Sequence, residues 1–485
     1  MSISGASATL SNQSLGNAQQ LDLPPCFVGC SSAGTAATPV LCANIDALIA
    51  AFGYGPVVEA AATTLDLAGG PVAVCRTATA SAGALAGLSG GASGTAPASP
   101  AGASPMTCTV TGVPLDAYDV KVKVIRDGAT LEALTASVQI SLDGGTTYGP
   151  ETPVPVSGVL VIANTGITLT FSDAINTLLL YTGNIYSFTT TAPTFDAAGL
   201  AAALAACQAV ADTLDHEFVH VVGPIDATTF ATVSTASTNL RAASIFRWIL
   251  AEARDQSSGE SIATWVGVLE GTTPGFAGIS ADLVAVCAAY ATQASRVMPA
   301  TWRRSLAYLL SPRFATIPVS QHPGRVRTGA LAGIVTLHHD FADSALSSLD
   351  AQRFLGAQAI RGRSGYFATD RSAAATGTDF TSVMRVRTIC YAARVALAAA
   401  TDFINEDNDT GDGGVLSSSA ADAFDQSVDS ALQRELIDRK FVSTASARVN
   451  RTDDVLTTEQ LRFKLRFRPR NYAKTIALDL GFTRE

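Results

Sequence analysis

The stretch LDHEFVHVVGPID, residues 214–226, decides how this chain is read. As a helix it would stack His216 and His220 one turn apart, with Glu217 placed to activate a water and Asp226 supplying an oxygen ligand beyond Gly223, a set able to hold zinc. As a strand it would put the two imidazoles on one face but about 13 Å apart, too far to share an ion. Phe218, Val219, Val221 and Val222 are aromatic or β-branched, and Pro224 directly follows the turn glycine. Such side chains lose rotamer freedom in a helix and pack well on a pleated surface. The stretch is therefore expected to be a strand, with no metal bound.

The segments around it alternate between helical and extended patterns. Upstream, DAAGLAAALAACQAVADTL reads as a helix with Asp196 as its N-cap. Downstream, residues 229–255 read as one long helix, TWVGVLEG as a strand, residues 280–297 as a helix and RSLAYLLSP as a strand. Two further helices, residues 383–405 and 418–441, flank the turn-rich EDNDTGDGG. Nearer the start, CFVGC and PVAVCRT read as strands around a helical region broken at Gly53.

Between these α/β parts the composition changes twice. Residues 79–105 are almost entirely Ala, Gly, Ser and Pro, the composition of a linker. From residue 106 to 191, five alternating segments separated by Gly- and Asp-containing turns predict a β-rich module: YDVKVKVIRDG, ASVQISLDGG, GVLVIAN, GITLTFS and IYSFTT. The expected fold is α/β (α+β) and multidomain. Its mixed-sheet core comes from the N-terminal region (26–78) and the C-terminal half (192–375), with the β-rich domain inserted. An N-terminal arm (1–25) and a C-terminal domain with a terminal strand arm (376–485) complete the division.

Bulk properties narrow the function. The chain has 485 residues, enough for two to four domains, of which 47% are hydrophobic and 15% charged. A net charge of −9 argues against a nucleic-acid partner. The charge is uneven, because residues 434–485 carry 12 Lys or Arg against 7 Asp or Glu. The cysteines at 26, 30, 42, 75, 108, 207, 287 and 390 form no C-x-x-C pair and read as small buried apolar residues in a reducing compartment. No secretory signal is read at residues 1–16, and TICYAARVALAAA is interrupted by Arg394 and shorter than a bilayer span. A soluble protein without membrane insertion is expected. His338, His339 and Asp340 read as a solvated loop, and no G-x-S-x-G nucleophile turn occurs.

Several segments, taken in order, resemble the sheath proteins of contractile phage tails and related injection systems. They are residues 45–77, with Phe52-Gly53, Gly69-Gly70 and Arg76; GALAGIVTL; residues 364–397; and residues 455–482. The resemblance implies a virion structural protein rather than an enzyme, with no cofactor, assembled in the host cytoplasm. It implies a helical polymer of copies of itself around an inner tail tube protein, bounded by baseplate and terminator proteins, with the chain's terminal arms adding strands to neighbours. Within 461–468, Leu461, Phe463, Leu465 and Phe467 alternate with Arg462, Lys464, Arg466 and Arg468, which makes one face apolar and the other cationic. Those cations, with Arg434, Arg439 and Lys440, are the candidate contacts to an acidic tube surface or to neighbouring copies. Two alternatives are a zinc metallopeptidase built on His216, Glu217, His220 and Asp226, and a non-contractile virion protein.

Overall fold

The computed structural model describes residues 23–89, 106–127, 136–172, 180–210, 213–272, 274–404, 406–407 and 409–473. The expected arm at 1–25, apart from its last three residues, and the final strand beyond residue 473 lie outside the described residues.

The core is a six-stranded sheet in the order Val284–Cys287, Trp248–Ala253, Phe218–Ile225, Cys26–Gly29, Val72–Arg76, Pro39–Cys42. All neighbours are parallel except the edge strand Pro39–Cys42. Both faces are covered, so the inner strands read as continuous apolar runs rather than alternating ones. The pleat still sorts them. Phe27, Val72 and Val74 pack with the helices Ile45–Phe52 and Pro56–Ala68, whereas Cys26, Val28, Ala73 and Cys75 pack on the opposite side with Leu200, Ala203 and Cys207 of Ala197–Ala209. All eight cysteines are buried thiols, as the composition predicts.

Two glycines explain local decisions. Gly53 has φ +66° and its amide bonds to Ile49 carbonyl, which ends the Ile45–Phe52 helix where the sequence predicts a break. At Gly29 a Cβ would lie 2.8 Å from the Val222 carbonyl oxygen and 3.2 Å from Val57, so only glycine lets helix and strand close.

Four elements between 227 and 317 differ from the sequence reading. The predicted long helix stops at Ala242, Ser244 turns with φ +58°, and Trp248–Ala253 becomes a sheet strand with all six residues buried. TWVGVLEG is not a strand but part of the helix Ile262–Glu270, capped by Ser261 accepting from the Thr264 amide at 3.1 Å and burying only Trp265, Val266 and Leu269. Residues 280–297 form strands Val284–Cys287 and Tyr290–Ala294 instead of a helix. RSLAYLLSP, expected as a strand, is mostly the helix Ala307–Thr316. Trp248–Ala253 and Val284–Cys287 are short and buried throughout, so periodicity had no polar face to register.

The inserted module is a pair of packed sheets. Thr107–Gly112, Ile167–Ser172 and Val159–Ile162 form one; Leu85–Ser89, Ile185–Thr190, Asp119–Arg126, Ser137–Ser141 and Thr152–Pro153 form the other. They share a core that includes Val120, Val122, Leu169, Phe171 and Tyr186. The five strands expected from alternation are present. Leu85–Ser89 is a correction: it belongs to the stretch read as linker, yet it pairs with Ile185–Thr190. Of that stretch, residues 90–105 lie outside the described residues.

Where insert meets core, Arg304 pairs with Asp116 at 3.0 Å and Asp143 accepts from the Thr301 amide at 3.1 Å. Glu59 sits beside this junction, accepting from the Ser295 hydroxyl at 2.8 Å. Burial raises its carboxyl from 4.5 to about 7, against the pull of Arg304. Because the folded value lies above the unfolded one, the contribution of Glu59 to stability is fully present below pH 4.5 and is lost as pH rises through 7. The predicted loss is roughly 3 kcal/mol over that window. Urea midpoints between pH 5 and pH 8 should show this decline in the native chain and a flatter profile in Glu59→Gln.

Candidate assembly interface

Each of the four residues of the zinc reading has another occupation. Phe218–Ile225 is the strand that its β-branched side chains predict. His216 lies before it, against the Arg247 guanidinium at 3.3 Å, and burial with that nearby charge lowers its pKa to about 3. Glu217 pairs with Arg387 at 2.8 Å, and Arg387 also donates to the Phe314 carbonyl at 2.8 Å and to that of Ile317 at 3.2 Å. His220 has both ring nitrogens engaged, by Glu252 at 2.8 Å and by Ser311 at 2.9 Å. Asp226 caps the Ala227–Ala242 helix through the Thr229 amide at 2.9 Å. Among the described residues, no three His, Cys, Asp or Glu converge on a possible metal site.

Ser311, His220 and Glu252 thus form a hydrogen-bonded chain in the order of a nucleophile, a base and an acid. Ser311 and His220 are 0% exposed and Glu252 3%, with Phe27 and Tyr308 packed on the imidazole, so a substrate carbonyl has no approach. The chain instead ties two core strands to the Ala307–Thr316 helix. Sequence reasoning missed it because Glu252 and Ser311 lie in two of the misread elements. The segment 338–340 is a loop, as expected, but it is not solvated: His339 is 1% exposed, stacks on Trp265 at 4.2 Å and accepts from the Tyr290 amide at 3.2 Å.

A surface with unused bonding capacity lies in the C-terminal part. Helices Val383–Thr401 and Ser418–Leu432 pack against a hairpin of Val442–Val449 and Phe463–Pro469. In the second helix Ala421, Phe424, Val428 and Leu432 recur at helical spacing and are buried, while Asp422, Asp425 and Asp429 form an adjacent stripe. Phe463, Leu465 and Phe467 are half-buried on this apolar cluster, and Lys464, Arg466 and Arg468 point outward, as the alternation predicts.

The hairpin's two outer edges are treated differently. On the first strand the Ala447 amide donates to Asp429 and the Val449 amide to Asp425, both at 2.6 Å, so helix side chains occupy that edge. These two aspartates were not identified from sequence, where they read as an ordinary polar stripe. The Asn450 amide donates to Arg462 carbonyl at 2.7 Å, which places the even-numbered positions toward the partner strand. With Arg448 opposite Lys464 and Ala447 opposite Leu465, the amides of Phe463, Leu465 and Phe467 face away from the ladder. No strand pairs with that edge among the described residues. Pro469 closes the strand, at a position where a ladder donor is not required.

The seven candidate cations do not act as one patch. Arg462 is held by Asp453 through two bonds of 2.8 and 2.7 Å, and Arg434 and Arg439 each pair with Glu435 at 3.1 Å. Lys440, Lys464, Arg466 and Arg468 have no carboxylate partner among the described residues. Arg434 borders a groove beside the aspartate stripe, whereas Arg439 and Lys440 border a separate cleft.

This architecture recurs in solved structures. A chain of the anti-feeding prophage baseplate in the contracted state aligns with a TM-score of 0.53 and 12% identity, covering 98% of this chain and 97% of that one. The helical sheath of the same system in its contracted state aligns with a TM-score of 0.52 and 12% identity over 100% of both chains. A sheath tail protein from Listeria innocua aligns at 0.49 and 10% identity, covering 93% and 92%. No curated protein matches the sequence. A family model described as DUF2586, N-terminal domain, matches residues 3–372. The chain therefore belongs to the DUF2586 family, and its fold is the one seen in sheath chains of contractile injection systems.

Proposed function

We propose that this chain is the structural subunit of a contractile tail sheath, polymerising helically around an inner tube and performing no bond chemistry. The observation that carries the reading is the hairpin with one edge occupied by Asp425 and Asp429 and the other open at Phe463, Leu465 and Phe467. An open edge accepts a strand from another chain through main-chain bonds, and such linkage tolerates rotation of the bodies it joins. The whole-length likeness to chains of contracted assemblies supports it.

Copies would lend the segments before residue 25 and after residue 473 to neighbours. The outward cations Lys464, Arg466 and Arg468 would face acidic groups of the tube or of adjacent copies, contacts near water that can be released during contraction. Baseplate and terminator proteins would bound the polymer, within a virion tail. Deleting residues 1–24, or residues 474–485, should leave a folded chain that no longer forms long polymers in sedimentation and electron microscopy. Long polymers from either deletion would contradict strand lending.

A further inference from the structure

We propose that the cleft between the core and the C-terminal hairpin receives the acidic 402–412 loop of a second copy, giving the polymer a head-to-tail ionic contact separate from strand lending. The inference rests on the sheath reading for its polymer, but not on the terminal arms.

The cleft has a volume of about 830 Å³ and lies between the 318–326 loop of the core and residues 439–441 and 470–473. Arg325, Lys440 and Arg470 line it, are exposed, and have no carboxylate partner among the described residues. The two carboxylates of its wall are consumed within the chain. Asp350 is paired with Arg371, and Asp370 accepts from Tyr472, from Ser382 and from the Met384 amide. The wall is therefore net cationic, with Val326, 38% exposed, as an apolar side.

The complementary charge lies at the other end of one helix. Met384, bound to Asp370, is in the first turn of Val383–Thr401, so the cleft sits at that helix's start. Its 19 residues span about 28 Å. Beyond its end come exposed Asp402, Glu406, Asp407, Asp409 and Asp412. Negative groups after a helix C-terminus oppose the helix dipole rather than complement it. Asp407, Asp409 and Asp412 also have no cationic partner among the described residues, so nothing local accounts for their charge. Local bonds shape its last part: the Gly411 amide bonds the Val415 carbonyl at 2.7 Å and the Ser417 amide the Asp409 carbonyl at 2.8 Å. Ile404, 66% exposed, stands at its root opposite in character to the charges, matching the mixed lining of the cleft.

A helix-length separation keeps a loop from filling its own cleft. Two different, complementary patches on one subunit form a heterologous contact, which propagates into a filament when the rotation does not close. A C-terminal unit carrying a cationic socket at one end and an acidic plug at the other has that geometry.

The test uses the full chain in two variants. The first, Arg325→Glu with Lys440→Glu, reverses the socket; the second, Asp407→Lys with Asp409→Lys, reverses the plug. Circular dichroism and thermal unfolding establish that both fold. Each alone should lose at least tenfold in polymer yield by sedimentation. An equimolar mixture should recover yield to within about twofold of the native chain, because each variant's plug then meets the other's socket. Native-like polymers from either variant alone, or no recovery on mixing two folded variants, would overturn the proposal. A native chain that forms no polymers at all would overturn the sheath reading beneath it, a distinct outcome.

Discussion

Leu465→Pro should yield a folded monomer that forms no tubes, with polymer yield lowered by more than tenfold, while Leu465→Ala polymerises. The alanine variant removes the half-buried side chain from the cluster under the hairpin but keeps the outward amide. The proline variant removes that amide as well, and an incoming strand loses a ladder bond in the middle of this open edge. Because residue 465 faces outward in the ladder, proline there does not break pairing with Ala447. Equal polymer yields from the two variants would show that this edge is not used.

The second large effect is on stability. Arg387→Ala should destabilise the chain by about 3–5 kcal/mol, read as a lowered urea midpoint. Arg387 is 2% exposed and closes three ends at once: Glu217 at the start of a core strand, and the carbonyls of Phe314 and Ile317 at the end of the Ala307–Thr316 helix. Its removal leaves Glu217, 8% exposed, without its counterion in the interior. Replacing both members, Glu217→Gln with Arg387→Met, should recover most of the loss, since a buried pair is often matched by neutral groups of similar volume. A double variant as unstable as the single one would show that the guanidinium's bonds to the helix carbonyls, not the ion pair, carry the effect.

How legible the fold is from sequence depends on whether an element has a wet face. Asp119–Arg126 and Phe463–Pro469 alternate in burial and were readable from their side chains alone. Trp248–Ala253 and Val284–Cys287 are buried throughout, and their Ala content imitates a helix. Tight sheet packing, not helix propensity, selects alanine there. Ile262–Glu270 is the reverse case, where Val266 and Val268 imitate a strand but the Ser261 cap and one-sided burial decide.

The candidate interface was legible in part for the same reason. The cationic face of 462–468 follows from period-two alternation. That Asp425 and Asp429 would occupy one hairpin edge does not, because it requires a helix and a strand far apart in sequence to be placed side by side. The H-E-x-x-H string shows the opposite hazard: four residues with the right spacing for one ion are held by Arg247, Arg387, Glu252 with Ser311, and a helix start. Spacing constrains geometry only once the secondary structure is known.

Under the proposed function, copies of this chain join by completing one another's sheets. Electron microscopy of the purified full-length chain at high concentration tests it most directly. Helical tubes of uniform diameter, in which density continues the hairpin sheet beyond Phe463, Leu465 and Phe467, are the predicted result. A chain that stays monomeric at high concentration, or tubes in which that edge meets solvent, would contradict it.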